Sequence, residues 1–150
     1  MSPLQTGAPA PIVPGVSFGD GPVGLFFYKV TCPTCQLAAP TMDAFERGFP
    51  GRMIGVGQDP EPALEAFGRR YAMGIRSLED APPYAVSAAY DIVSVPTLFL
   101  VGEDARILES VGAWDRQGFN RVAEAMAELT GADPVVVSSP DDGLPAFKPG

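Results

Sequence analysis

The sequence predicts an α/β domain built on a central mixed β-sheet flanked by helices. Apolar runs of strand length alternate with segments of helical spacing, in the order β-α-β-α, then a short β-α, then β-β-α. The early crossovers imply parallel neighbours, whereas the tight Gly102–Asp104 turn between the last two strands implies an antiparallel hairpin. With 150 residues, 46% of them hydrophobic, the chain can bury one sizeable core and is too short for two ordinary domains.

Each element has its own warrant. Val23–Val30 (VGLFFYKV) is an almost unbroken apolar and aromatic run, as expected of a central strand covered on both faces. Pro33 to about Gly48 reads as a helix: Leu37, Met42, Phe45 and Phe49 approximate helical spacing, Pro33 suits the first turn, and Pro40 inside it should bend it. Arg52–Gly57 is a short strand, and Pro62 to about Tyr71 a helix with Leu64, Phe67 and Tyr71 on one side. Between them and the next strong signal lie an ambiguous stretch, with a short strand expected at Gly74–Leu78, and a short helix at Tyr84–Tyr90. Val93–Val101 (VSVPTLFLV) is a strand that contains a proline, Arg106–Val111 its hairpin partner, and Arg116–Leu129 a helix with Phe119, Val122, Met126 and Leu129 facing inward.

The ends differ from the middle. Glycine and proline, 17 of each, crowd into residues 1–24 and 131–150, where half of them lie. The first stretch reads as an irregular N-terminal arm, residues 25–130 as the folded domain, and the last as a Pro/Gly-rich tail. Within that tail Val135–Val137 can form an edge strand and Leu144–Phe147 can dock, neither with an expected bearing on the chemistry.

Composition excludes several functions. With no histidine there is no Ser-His or Cys-His pair, no imidazole metal ligand and no histidine pH switch. A net charge of −8, with basic residues scattered singly apart from Arg69–Arg70, argues against a nucleic-acid partner. No run approaches a membrane span, and the first residues lack a basic segment followed by an apolar one, so no membrane partner and a cytoplasmic location are expected. Two cysteines in that compartment do not suggest a structural disulfide framework.

The chemistry concentrates in Thr31-Cys32-Pro33-Thr34-Cys35. Cys32 falls at the N-terminus of the predicted first helix, where unpaired N–H groups and the macrodipole favour an anion and so lower the thiol pKa. Cys35, nearly one turn on, is close enough to attack a disulfide formed at Cys32, which suits two-step exchange with Cys32 as nucleophile and Cys35 as resolving thiol. A metal site usually needs four ligands, and the chain supplies no further cysteine and no histidine, so no metal or other cofactor is expected except at an intermolecular site. Inert core cysteines are the other alternative.

FFYKVTCPTC, Pro40 inside the following helix and Val95-Pro96-Thr97 before an apolar strand resemble the thioredoxin superfamily over roughly residues 5 to 130. The extra β-α segment before that proline and the GQDPEPALEAF stretch are similar to its redoxin branch, the TlpA-like and peroxiredoxin-like proteins. The resemblance implies a thioredoxin-like fold with a β-α insertion and a redox-active Cys32–Cys35 disulfide. It also implies a cis Pro96 against that disulfide and main-chain binding of substrate at Val95. Partners would be disulfide-containing proteins or small thiols, with an upstream thiol reductant; the terms antioxidant and cell redox homeostasis follow from the same likeness. The chain also departs from the pattern: Thr31 stands for the tryptophan before the first cysteine, Phe26 for the buried aspartate of thioredoxins, and Ala38 for the glutamate of many TlpA-like proteins. Two proton acceptors are thus missing, which leaves Lys29 as a candidate for tuning the thiol pKa. The peroxide-binding hydroxyl of peroxiredoxins falls on Lys29 and their proline on Leu25, so a thiol peroxidase is an alternative to a protein-disulfide reductase, as is a non-catalytic thioredoxin-like binding module.

Overall fold

All six residues of β1 (Val23–Tyr28) are buried, because its alternate side chains enter two separate cores. The computed structural model describes residues 2–150. Phe26 and Tyr28 pack with Met42, Phe45, Leu98, Leu100 and Phe119 on one face of the sheet. Leu25 and Phe27 pack with Ile54, Val56, Tyr90, Phe99 and Val101 on the other. That double covering is why the run is apolar throughout rather than alternating.

Around β1 the chain adds α1 (Pro33–Gly48), β2 (Met53–Gly57), α2 (Glu61–Arg70), β3 (Arg76–Glu79), α3 (Ala85–Ala89), β4 (Thr97–Val101), β5 (Ile107–Gly112), β6 (Trp114–Asp115), α4 (Arg116–Thr130) and β7 (Phe147–Lys148). Five strands form one sheet in the order β3-β2-β1-β4-β5. β1 pairs in parallel with β2, and β2 with β3, while β4 is antiparallel to both β1 and β5. The mixed sheet follows from two crossover connections and then a hairpin. Among the described residues no helix is long and apolar enough to cross a membrane.

Where expectation and structure differ, the reason is local. β1 stops at Tyr28, since the Val30 N–H turns away to donate to the Asp59 carboxylate (2.9 Å). β4 begins only at Thr97, four residues later than the apolar run suggests; Pro96 has no N–H to give a ladder, and Val93–Pro96 is a loop closed by the Thr97 hydroxyl on the Ser94 carbonyl (2.9 Å). The third strand is Arg76–Glu79, two residues later than expected, because that is where the backbone meets Ile54–Gly57. Helix α1 runs through Pro40 as one element, with Ala38, Ala39 and Met42 buried around it. Leu129, expected inside, is 51% exposed, because α4 is in its last turn there and the sheet no longer covers that side.

Both ends of the chain are ordered by contact with the domain. The arm crosses the second core face: Val13 is buried, Gly7 N–H donates to the Ile107 carbonyl, and Ala10 N–H donates to the Ala105 carbonyl (2.8 Å each). At the other end Val135–Val137 forms no strand; instead Asn120 Oδ1 accepts the Val137 N–H (2.9 Å), and Arg116 donates to the Leu144 carbonyl (2.6 Å). The strand lies later, at β7, paired antiparallel with β6. Trp114, fully buried against Phe119, donates its indole N–H to the Pro145 carbonyl (2.7 Å) and so anchors this return.

Candidate functional site

The site stands at the C-terminal edge of β1, where the sheet hands the chain to α1. The Lys29 carbonyl accepts the Cys32 N–H (3.2 Å), Asp59 holds the Val30 N–H, and the Gln36 amide donates to the Val30 carbonyl (3.0 Å), so the turn is tied on three sides. Cys32 is the N-cap residue of α1, in extended conformation, and Pro33 occupies the first helical position, where its missing N–H costs nothing. The Cys32 sulfur accepts the Cys35 N–H (3.1 Å), one of the donors that a helix start leaves unpaired.

The two sulfurs sit in unlike surroundings. Both are free thiols, but Cys32 is partly exposed while Cys35 is wholly buried among Phe26, Tyr28 and Ala38. Burial first, and then contact with the Cys32 sulfur, holds the Cys35 thiol far above the ordinary value of 9.0. Burial likewise pushes the Tyr28 phenol up to about 12, although its hydroxyl bonds to Ser77 (2.7 Å). One sulfur thus meets solvent, and the other waits behind it as a neutral thiol.

The tertiary fold brings the proline loop to this pair from 63 residues away. The Val95–Pro96 peptide bond is cis, and the Val95 carbonyl lies 3.5 Å from the Cys32 sulfur, close enough to accept a weak S–H bond. Cys32, Cys35, Val95 and Pro96 therefore share one corner of the molecule. Lys29 lines a shallow cleft with Gln58, Ile92, Ser94 and Val95; its side chain is exposed and makes no hydrogen bond or ion pair among the described residues.

Three groups at the site escape sequence reasoning. Asp59 secures the approach to Cys32, and its position in Gln58-Asp59-Pro60 after a strand was the only local hint. Thr34, between the cysteines, is buried and donates its hydroxyl to the Pro149 carbonyl (2.6 Å). Gly150 lies against the Val95 carbonyl so closely that a β-carbon built on it would overlap that oxygen. The segment after β7 thus reaches residues beside the redox pair, contrary to the expectation that it has no bearing on the chemistry; nothing in its local pattern signals a contact with residues more than fifty positions away.

No protein-family model and no curated protein matches the sequence. Solved structures do. The chain is similar to a putative thiol:disulfide interchange protein DsbE from Chlorobium tepidum, with 19% identity and a TM-score of 0.71 over 84% of this chain and 98% of that one. It is similar to the thioredoxin domain of a thiol-disulfide oxidoreductase from Bacteroides vulgatus, with 19% identity and a TM-score of 0.68 over 82% and 99%. A third, the MTB DsbF protein seen in mixed oxidized and reduced forms, is 25% identical with a TM-score of 0.61 over 70% and 80%. The fold is therefore thioredoxin-like, α/β with a mixed five-stranded sheet. The first two of these structures are a putative thiol:disulfide interchange protein and a domain of a thiol-disulfide oxidoreductase, and this chain carries its own Cys-x-x-Cys pair at the start of α1.

Proposed function

We propose that the chain is a thiol-disulfide oxidoreductase, chiefly a reductase of protein disulfides, with Cys32 as nucleophile and Cys35 as resolving thiol. The observation that carries this reading is the asymmetry of the pair: a partly exposed sulfur at a helix N-cap, backed by a buried thiol one turn on. The deprotonated Cys32 sulfur attacks one sulfur of a substrate disulfide in line. The S–S bond breaks, and the departing sulfur leaves as a thiolate that takes up a proton from water. Cys35 then loses its proton and attacks the Cys32 sulfur, releasing the second substrate thiol and closing a Cys32–Cys35 disulfide. Two electrons have passed to the substrate, and an upstream thiol reductant restores the pair.

Val95 and Pro96 form the wall past which a substrate chain runs, since the Val95 carbonyl neighbours the attacking sulfur. A cytoplasmic setting, in which the reduced pair would be maintained, fits the reductase direction. The peroxidase alternative has no hydroxyl three residues before Cys32, where Lys29 stands, and the Thr34 hydroxyl is committed to Pro149.

The decisive experiment replaces Cys35 with Ser. Mixed disulfides with other proteins should then accumulate through Cys32, and the wild type should reduce insulin while Cys32→Ser does not. Absence of both trapped adducts and insulin reduction would falsify the reading; sulfenic acid at Cys32 with hydroperoxide consumption would replace it by a peroxidase.

A further inference from the structure

β7 and the two residues that follow run to Thr34 and Val95, the groups that flank the sulfur pair. Pairing with β6 holds Phe147 and Lys148 extended, and the residue before a proline favours that conformation, so the chain continues in line through Pro149. There it meets both sides of the site. The Thr34 hydroxyl, on the first turn of α1, bonds the Pro149 carbonyl, and Gly150 presses on the Val95 carbonyl that also faces Cys32. Only a residue without a side chain fits at Gly150, with Val95 behind it and Pro96 Cδ 3.5 Å from where a β-carbon would stand.

An extended polypeptide that delivers a disulfide to Cys32 must pass the same two groups, because recognition of an extended chain works through an exposed backbone edge. Here that edge already has an occupant of the same chemistry, a stretch of extended backbone. The occupant is weakly held: a two-residue ladder and one hydroxyl bond tie it down, and Phe147 leaves 58% of its surface exposed, so little apolar burial opposes release. Cys32 itself remains partly exposed.

We propose that Phe147–Gly150 is an intramolecular occupant of the polypeptide-docking edge formed by Thr34 and Val95. Protein disulfides gain access only when it lifts, whereas small disulfides reach Cys32 directly. The proposal rests on the oxidoreductase reading and adds to it the discrimination between substrate classes.

Two variants test it: the chain shortened to end at Ala146, which keeps the Trp114–Pro145 anchor, and the unshortened chain with Gly150→Leu, whose side chain cannot share space with the Val95 carbonyl. Each is assayed on insulin and on 5,5′-dithiobis(2-nitrobenzoate). If the edge is open about a fifth of the time in the parent, kcat/KM for insulin rises about fivefold in both variants, and that for the small disulfide changes by less than about twofold. The synthetic peptide Ala-Phe-Lys-Pro-Gly should return the shortened chain to the parent's insulin rate. Unchanged insulin rates, or equal gains on both substrates, overturn the occupant role while leaving the oxidoreductase reading intact. A parent that reduces neither substrate overturns both. Near-UV circular dichroism of the buried Trp114 reports whether the shortened chain has folded, and if it has not, Gly150→Leu decides.

Discussion

At Cys35 a raised thiol pKa should set the pace of the second half-reaction. Burial and the Cys32 sulfur both raise its thiol pKa, so at neutral pH only a small fraction is thiolate and able to attack. While the pH stays below that raised value, each unit of increase multiplies the thiolate fraction about tenfold. Decay of a preformed Cys32 mixed disulfide should therefore accelerate about tenfold between pH 7 and pH 8. Rapid-quench measurement over that range is the check, and a flat profile would mean that a neighbouring base takes the proton instead. Phe26 and Ala38 stand where the resemblance to thioredoxins and TlpA-like proteins would put such a base, and both are readable from the sequence alone. Neither side chain can accept a proton, and both are buried in the same core as Cys35.

At the scale of elements, the site depends on loops that α-helix ends and strand ends hold in place. Asp80 is the clearest case: buried, it accepts the Val86 N–H (3.1 Å) and the Ser87 N–H (2.8 Å), and so caps the start of α3, which leads into the loop bearing Val95. Asp80→Ala should cost about 1–2 kcal/mol of stability, read from the urea midpoint. Asp80→Asn, which keeps one acceptor, should recover part of it. Elements were legible wherever the local pattern was strong, as in the unbroken apolar run of β1 and the Phe119, Val122, Met126 stripe of α4. They were least legible at their boundaries. The strand after Pro96 shows why: Val93 and Val95 carry strand-forming side chains, but whether backbone N–H groups find partners is decided by neighbours that periodicity does not contain.

For the whole molecule, three buried acids make alkaline pH the weak side. Cys35, Tyr28 and Tyr90 all have pKa values raised by burial above their ordinary 9.0 or 10.0, so the folded chain keeps protons that the unfolded chain would release. Their contribution is whole below the ordinary values and is lost as pH climbs through them toward the raised ones. Only between its ordinary and its raised value does each group subtract stability, about 1.4 kcal/mol per pH unit. Urea midpoints should hold steady from pH 7 to 8.5 and fall by pH 10.5. Tyr90→Phe should flatten part of that fall while losing the hydroxyl bond to the Pro11 carbonyl (2.6 Å) that pins the arm. A core substitution acts at every pH: Phe26→Ala, emptying the space between Tyr28 and the α1 side chains, should cost about 3–5 kcal/mol.

The sequence by itself determined the α/β layering, the place of Cys32 and Cys35 at a strand-to-helix turn, and the exclusion of histidine chemistry. These are local properties, carried by spacing within a few residues and by composition. Only the tertiary structure decided that Val95 faces Cys32 across 63 residues, that Asp59 ties the turn, and that Pro149 meets Thr34 from 115 residues away. Such contacts depend on the path of the chain around the sheet. A two-residue strand between prolines leaves no periodic trace of where that path ends.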